Sequence, residues 1–308
     1  MKVAITGATG FIGQALLRIL LEQGHTVSAL ARHPNALLKY ASASLDTIPG
    51  DLQNTTALCK LVSDVDVVIH LAGVVRGRNQ TAFDAINVAG TQALLAALDR
   101  HPTPFILCSS LAAREPQLSF YARSKAAAES LVLAEQSRRP TMILRPCAVY
   151  GPGDTEMMPV FRFMRLSGWA PVPGRTSARL SLIYVDDVCR AISSLLDHTD
   201  RASGTYEIHD GRVGGYDWQD LAQLVGAACG KRIKPVAIPA PILDSLAFIN
   251  EKTAMVTRTA PMLTRAKLRE LRHPDWVVTT HERLTDACGW SPRTRLAEGL
   301  LSTAEWMA

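Results

Sequence analysis

Tyr121 and Lys125 are four residues apart, and no other pair in this sequence is better suited to moving a proton. On a helix that offset puts both side chains on one face. A free tyrosine ionises near pH ~10, too high to act as a base at neutral pH. A neighbouring ammonium favours the phenolate and lowers that value. The pair follows a short apolar run, Phe105–Cys108, that leads into Ser109 and Ser110. Both hydroxyls are suited to hydrogen-bonding a substrate oxygen, Ser110 first and Ser109 second. Serine at such a place also serves as a plain turn or helix cap.

Gly7, Thr9, Gly10, Phe11, Ile12 and Gly13 form a turn between a β-branched run at 3–5 and an apolar-periodic stretch at 11–23. Glycine is needed where the chain turns tightly and where backbone must approach a pyrophosphate. The helix that follows offers free N–H groups and a partial positive charge to that anion. The end of the next strand selects the cofactor. NAD sites usually place Asp or Glu there to bind the ribose hydroxyl, whereas this chain reads Leu30, Ala31, Arg32, His33. Arg32 suits a 2′-phosphate, so NADP is expected, with NAD as the alternative.

These residues need a frame, and the pattern around them supplies one. Short apolar strands at 3–5, 25–30, 65–71, 105–108 and 141–144 alternate with helical stretches at 11–23, 79–100 and 121–138. Gly24 sits where the first helix should stop. Such alternation implies α/β architecture, a Rossmann-like doubly wound parallel sheet with helices on both faces. Glycines and prolines break the chain after Arg145 and Pro146. Late strands are expected at 180–185 and 205–209, the second rejoining the first sheet. The expected division is a dinucleotide-binding unit, 1–152 plus about 186–210, interleaved with a smaller C-terminal substrate lobe, 153–185 and 211–308. Phe161, Phe163, Met164 and Trp169 are read as core rather than as a substrate pocket.

Composition narrows the setting. The 308 residues carry a net charge of +5 without a concentrated basic block, which argues against a nucleic-acid partner and suits a phosphate-bearing cofactor. The six cysteines have no metal-ligand or redox spacing and read as free thiols in a reducing compartment. No apolar run reaches the ~18 residues a span needs, and the N-terminus lacks a secretory pattern. A cytoplasmic protein with a small-molecule substrate, no membrane partner and no metal is expected.

Taken together, these motifs resemble the short-chain dehydrogenase/reductase superfamily, in its extended epimerase/dehydratase-like branch. The matching pieces run from Gly7…Gly10…Gly13 through Gly50-Asp51-Leu52, His70-Leu71-Ala72-Gly73 and Asn87-Val88-Ala89-Gly90-Thr91 to Ser109-Ser110 and Tyr121…Lys125. They continue with Arg145-Pro146…Val149-Tyr150-Gly151, Tyr184-Val185-Asp186-Asp187-Val188 and Gly289-Trp290-Ser291-Pro292. The resemblance implies that Asp51 and Leu52 contact adenine, and that Leu71, Ala72 and Gly73 pass beside the phosphate and ribose. It places Asn87 on the helix flanking the active site, and Pro146 and Val149 at the nicotinamide. Tyr121 would be the acid/base, and Lys125 would bind the ribose and tune it. The family also implies a homodimer through the helices flanking the sheet.

Two departures bear on the reaction. Related dehydratases carry an Asp-Glu pair directly after the active-site hydroxyl, where this chain has Leu111, Ala112 and Ala113, so dehydration is disfavoured. Related nucleotide-sugar epimerases grip the diphosphate with an arginine at the place Leu180 fills; Arg179 is one residue out of register, and one step on a strand changes face. The expectation is an NADP-dependent dehydrogenase or reductase acting at a hydroxyl or carbonyl carbon. A nucleotide-sugar epimerase using the same Tyr/Lys pair is the alternative. A non-catalytic dinucleotide sensor is disfavoured, because both Tyr121 and Lys125 are present.

Overall fold

The computed structural model describes residues 1–303 apart from 100, 258, 262 and 281. Apolar β-branched runs supply the central strands β1 (Lys2–Thr6), β2 (Thr26–Ala31), β3 (Leu45–Pro49), β4 (Val67–His70), β5 (Phe105–Cys108) and β6 (Thr141–Pro146). Four of these are fully buried along most of their length, as a parallel strand covered on both faces must be. After β7 (Ala148–Tyr150), which pairs with β10 (Leu182–Tyr184), and the short strands β8 (Trp169–Val172) and β9 (Arg179–Leu180), whose partners come later in the chain, the chain returns as β11 (Gly204–Ile208) beside β6. The sheet order is β11-β6-β5-β4-β1-β2-β3, all parallel. Order reverses between β1 and β4, the place where a doubly wound sheet opens a crevice at its carboxyl edge.

Two cores cover the sheet. On one face α1 (Phe11–Glu22) packs against the later α7 (Val185–Leu196), with Leu16, Leu17 and Leu20 of α1 meeting Val188 and Ile192. On the other face lie α2 (Thr55–Val62), α4 (Ala89–Ala97) and α5 (Phe120–Leu133), the short α3 (Gln80–Phe83) coming just before α4. A third core gathers Tyr150, Phe161, Met164, Leu182, Tyr216 and Leu221 from β7, α6 (Met158–Ser167), β10, the approach to α8, and α8 (Trp218–Cys229) itself. The chain then forms β12 (Lys234–Ala237) against β8, α9 (Ala240–Thr257) and α10 (Arg265–Leu271). No helix among the described residues is long and apolar enough to cross a membrane.

The structure departs from the sequence expectations in four places. The single helix expected over 79–100 is broken: α3 gives way to a π turn at Asp84–Val88 before α4 begins, and residue 100 lies outside the described residues. The extra residue in that turn faces Asn87 inward, where Val74 and Ser124 satisfy its amide. Second, the strand expected at 180–185 is two short ones. Ser181 separates β9 from β10, its N–H bonded to the Trp276 carbonyl, and Val185 opens α7, whose first turn carries Asp186 and Asp187. Third, β3 has only Ile48 buried, so an edge strand stood there without a periodic signal. Fourth, Phe161 and Met164 are core, but Phe163 and Trp169 are 47% and 57% exposed.

Candidate functional site

At the switch point between β1 and β4 lies a cavity of about 430 Å³, walled by Gly7, Thr9, Gly10, Arg32, Asp51 and Leu52, with Leu71, Ala72 and Gly73 opposite. Gly7 has φ +78°, and a Cβ there would come within 2.6 Å of the Ala72 nitrogen. That clash explains why glycine makes the turn. Gly13 is buried, and its missing Cβ lets α1 sit on the Gly7 carbonyl. Gly10 caps α1 without any side-chain hydrogen bond, and the first turn holds no acidic residue. The N–H groups of that turn therefore remain open to an anion. These features fit a dinucleotide pyrophosphate.

Arg32 closes the far end of the cavity at the tip of β2, exposed and without an ion-pair partner among the described residues. Leu52 is buried against Gly90 of α4, which fixes it as a wall, while Asp51 stays exposed and holds the Gln53 N–H at 2.9 Å. Pro146 ends β6 buried, and Val149 pairs with Ile183 in the β7–β10 ribbon. Phe11, Ile12, Gly13, Asn87, Pro146 and Val149 do not line the cavity itself.

A buried relay ties the cavity floor together. The Ala72 N–H donates to Thr6 Oγ1, which lies 2.6 Å from His70 Nδ1. On the other side His70 Nε2 lies 3.0 Å from Thr91 Oγ1, whose own hydrogen goes to the Asn87 carbonyl. That donor leaves Thr91 only an acceptor for His70, so Nε2 carries the proton and Nδ1 accepts from Thr6. Burial, with a smaller push from Lys125, holds the imidazole down at about 3, neutral at any physiological pH.

Lys125 reaches this floor from α5. Its Nζ donates to the Cys108 carbonyl at 2.8 Å and would lie 3.9 Å from a Cβ on Gly73, so the amine stands at the cavity wall. Asn87 braces the same loop through both Val74 backbone groups, at 2.8 and 3.1 Å. Burial lowers the Lys125 ammonium from its ordinary value.

From Gly73 the chain runs through Val74 to Val75, Arg76 and Gly77, which border a narrow pocket beside Tyr121. Tyr121 packs its ring 6.2 Å from that of Phe83. Burial pushes the phenol well above its ordinary value, the hydrogen bond with Ser110 pulls it part of the way back, and Glu270 and Glu156 raise it again. Among the protein groups, desolvation outweighs any favour to the phenolate.

The two serines separate clearly. Ser110 caps a 3₁₀ turn at Leu111–Arg114, its Oγ accepting the Ala112 N–H at 3.2 Å while meeting the Tyr121 phenol. Ser109 is buried, and its hydroxyl goes to Glu129, which is held by Arg145 at 2.6 Å. As the second choice for orienting a substrate, Ser109 is corrected: successive residues of extended chain face opposite ways, and its hydroxyl is already bonded.

Sequence reasoning missed Glu270 and Arg76. Glu270 is buried in the Tyr121 pocket; Oε1 meets Lys267 at 2.7 Å, and Oε2 has no hydrogen-bond partner among the described residues. Arg76 is paired with Glu156 at 2.7 Å. Neither belongs to a local motif, because they meet Tyr121 only through the tertiary fold. Arg179 is also placed: it donates to the carbonyls of Gly214 and Gly215 and faces Asp217 at 3.7 Å.

Comparison with known proteins agrees with this geometry. The model of the NAD dependent epimerase/dehydratase family matches residues 3–208. The chain belongs to that family. As a member, it is an enzyme of the dehydrogenase, reductase and epimerase class that works with a nicotinamide dinucleotide. It is 33% identical over 304 residues to the ceramide reductase of Caulobacter vibrioides, covering 99% of this chain and 93% of that one. It is 28% identical to the 2-alkyl-3-oxoalkanoate reductase of Stenotrophomonas maltophilia, covering 97% of each. The solved UDP-glucuronic acid 4-epimerase of Bacillus cereus, in complex with NAD, superposes with a TM-score of 0.78 at 21% identity, covering 100% of this chain and 99% of that one. That likeness is one of fold.

Proposed function

We propose that this protein is an NADP-dependent reductase of a ketone on a lipophilic, alkyl-chain substrate, working in the cytoplasm. The observation that carries the reading is the position of Tyr121, in a pocket one loop away from the dinucleotide cavity, with Lys125 of the same helix standing behind the Gly73 wall of that cavity. A phenol raised by burial stays protonated at neutral pH, which suits an acid that delivers a proton to a carbonyl oxygen.

The unit 1–152 with 186–210 holds the cofactor, and the lobe 153–185 with 211–308 closes the substrate side. Gly7 to Gly13 take the pyrophosphate, Arg32 the 2′-phosphate, Asp51 and Leu52 the adenine, and Leu71 to Gly73 the phosphate and ribose. Lys125 meets the nicotinamide ribose, with Asn87 bracing its loop and Pro146 and Val149 bordering the ring. When bound, the reduced nicotinamide supplies a hydride. Ser110 orients the substrate oxygen, and Tyr121 gives up its proton as negative charge gathers there. Ser109 stays in the buried Glu129–Arg145 network behind them.

Three observations support an apolar substrate over a nucleotide sugar. The Tyr121 pocket carries Val75, Phe83, Phe120, Pro261 and Ala266, and its charged lining residues are paired with one another, Arg76 with Glu156 and Lys267 with Glu270. Arg179, the residue nearest the diphosphate-gripping register, is bonded to Gly214 and Gly215. Two relatives that match nearly the whole chain are reductases, named for a ceramide and for a 2-alkyl-3-oxoalkanoate. Leu111, Ala112 and Ala113 offer no group for removing water. Six free cysteines fit a reducing compartment.

The test is NADPH oxidation with a series of 3-oxo esters of increasing chain length, run beside UDP-sugars. We expect kcat/KM to climb about fourfold per buried methylene until the pocket is filled. Inversion of a UDP-sugar without net NADPH oxidation, and no turnover of any ketone, would overturn the reading.

A further inference from the structure

Helix α9 is an unusual surface helix. Its inner stripe is Leu243, Ala247 and Ala254, of which Leu243 and Ala247 pack with Leu268 of α10 in a small cluster flanked by Ile238 and Leu263. Its outer face should be polar. Instead Ile242, Leu246, Phe248 and Ile249 stand out, each between 43% and 56% exposed. Ile242, Leu246 and Ile249 follow i, i+4, i+7 spacing, so they form one continuous apolar ridge. Contiguous exposed apolar surface of this kind marks a binding face.

The charges beside the ridge choose its partner. Lys252 and Arg265 lie over the Phe248 ring, at 5.4 and 5.1 Å from its centroid, and both are exposed without an ion-pair partner among the described residues. Of the nearby carboxylates, Asp244 pairs with Arg272 at 2.9 Å, while Glu251 accepts the Arg265 backbone N–H at 2.8 Å and keeps its charge, leaving two cations to one free carboxylate. An apolar ridge edged by a net positive charge on exposed Lys252 and Arg265 matches the boundary of an anionic bilayer, where long basic side chains reach phosphate headgroups while apolar ones enter the acyl edge. A two-fold contact with a second copy would bring the Lys252 and Arg265 pairs of both chains into one interface, where they repel.

We propose that α9 docks this protein on an anionic lipid bilayer, with Ile242, Leu246 and Ile249 inserted and Lys252 and Arg265 on the headgroups. The next stretch of chain, through Pro261, Thr264, Ala266 and Glu270, lines the Tyr121 pocket, so docking sets that pocket beside the membrane surface. This goes beyond the substrate reading and does not depend on it. The expectation of no membrane partner rested on the length of apolar runs, and a helix lying in the interface plane needs no such run.

The test is co-sedimentation of the full chain with vesicles of phosphatidylglycerol mixed with phosphatidylcholine, against phosphatidylcholine alone. Binding to the anionic vesicles is expected, weakening as salt rises. Leu246→Ser with Ile249→Ser should reduce it about tenfold or more on either vesicle. Lys252→Glu with Arg265→Glu should reduce it on the anionic vesicles alone. Matched thermal melts by circular dichroism check that each variant is folded, and the charge variant gives an independent reading if the apolar one melts early. A wild-type chain that stays in the supernatant with both vesicles would overturn the proposal. So would unchanged binding by the folded variants, or self-association that the Leu246/Ile249 variant abolishes in the absence of vesicle binding.

Discussion

Lys125 gives its ammonium hydrogen to the Cys108 carbonyl at 2.8 Å, and that bond ties helix α5 to the carboxyl end of strand β5. It holds the amine beside Gly73 and so joins the dinucleotide cavity to the Tyr121 pocket four residues away. The buried ammonium keeps its proton less firmly than a lysine in water.

Cofactor affinity should therefore lose an alkaline limb when Lys125 is replaced. In the wild type, NADPH binding should weaken as pH rises through the depressed Lys125 value, because the positive charge is lost there. Lys125→Met should bind roughly tenfold more weakly at neutral pH, as expected for losing a charge-assisted hydrogen bond, and show no such limb. Fluorescence titration of NADPH across pH checks both.

Arg32 lies exposed at the end of β2, without an ion-pair partner among the described residues. Arg32→Ala should weaken NADPH binding by about ten- to a hundredfold, the usual range for a charged hydrogen-bonding partner, and leave NADH within about twofold. Isothermal titration with both cofactors measures the ratio; equal losses would assign Arg32 to something other than the 2′-phosphate.

Glu270 leaves one carboxylate oxygen without a hydrogen-bond partner among the described residues, in the Tyr121 pocket. Its negative charge raises the phenol, so Glu270→Gln should lower the Tyr121 value and move the alkaline limb of kcat/KM to lower pH. If that oxygen accepts a substrate hydroxyl or amide hydrogen, KM should rise several-fold while kcat changes little. Steady-state kinetics over a pH series separates the two effects.

His70 makes a prediction about acid stability. Its folded value, about 3, lies below the ordinary 6.5, so between those limits the unfolded chain binds the proton and the native one does not. Stability from this group is complete above pH ~6.5 and is lost as pH falls. At pH 5 the loss is about 2 kcal/mol. Urea unfolding at pH 7 and 5 should show the wild type losing about that much more than His70→Gln.

Much of this site was legible because backbone rules leave marks in sequence. Gly7 and Gly13 sit where a Cβ has no room, and the missing acid after β2 shows as Arg32. Other parts were hidden for physical reasons. Ser109 and Ser110 are neighbours with the same side chain, and only the alternation of extended chain sends one to Glu129 and the other to Tyr121. β3 buries one residue, too few for a pattern. The π turn at Asn87 interrupts an otherwise smooth helical stretch. Glu270 reaches Tyr121 across 149 positions, a distance no local periodicity reports. Desolvation of the phenol depends on the packed whole.

The central claim is that Tyr121 donates the proton, and Tyr121→Phe tests it most directly, since it removes the hydroxyl and keeps the ring against Phe83. With a long-chain 3-oxo ester, NADPH oxidation should fall by roughly 10²- to 10⁴-fold while the NADPH dissociation constant stays within about twofold. Turnover within a few-fold of wild type would contradict the account.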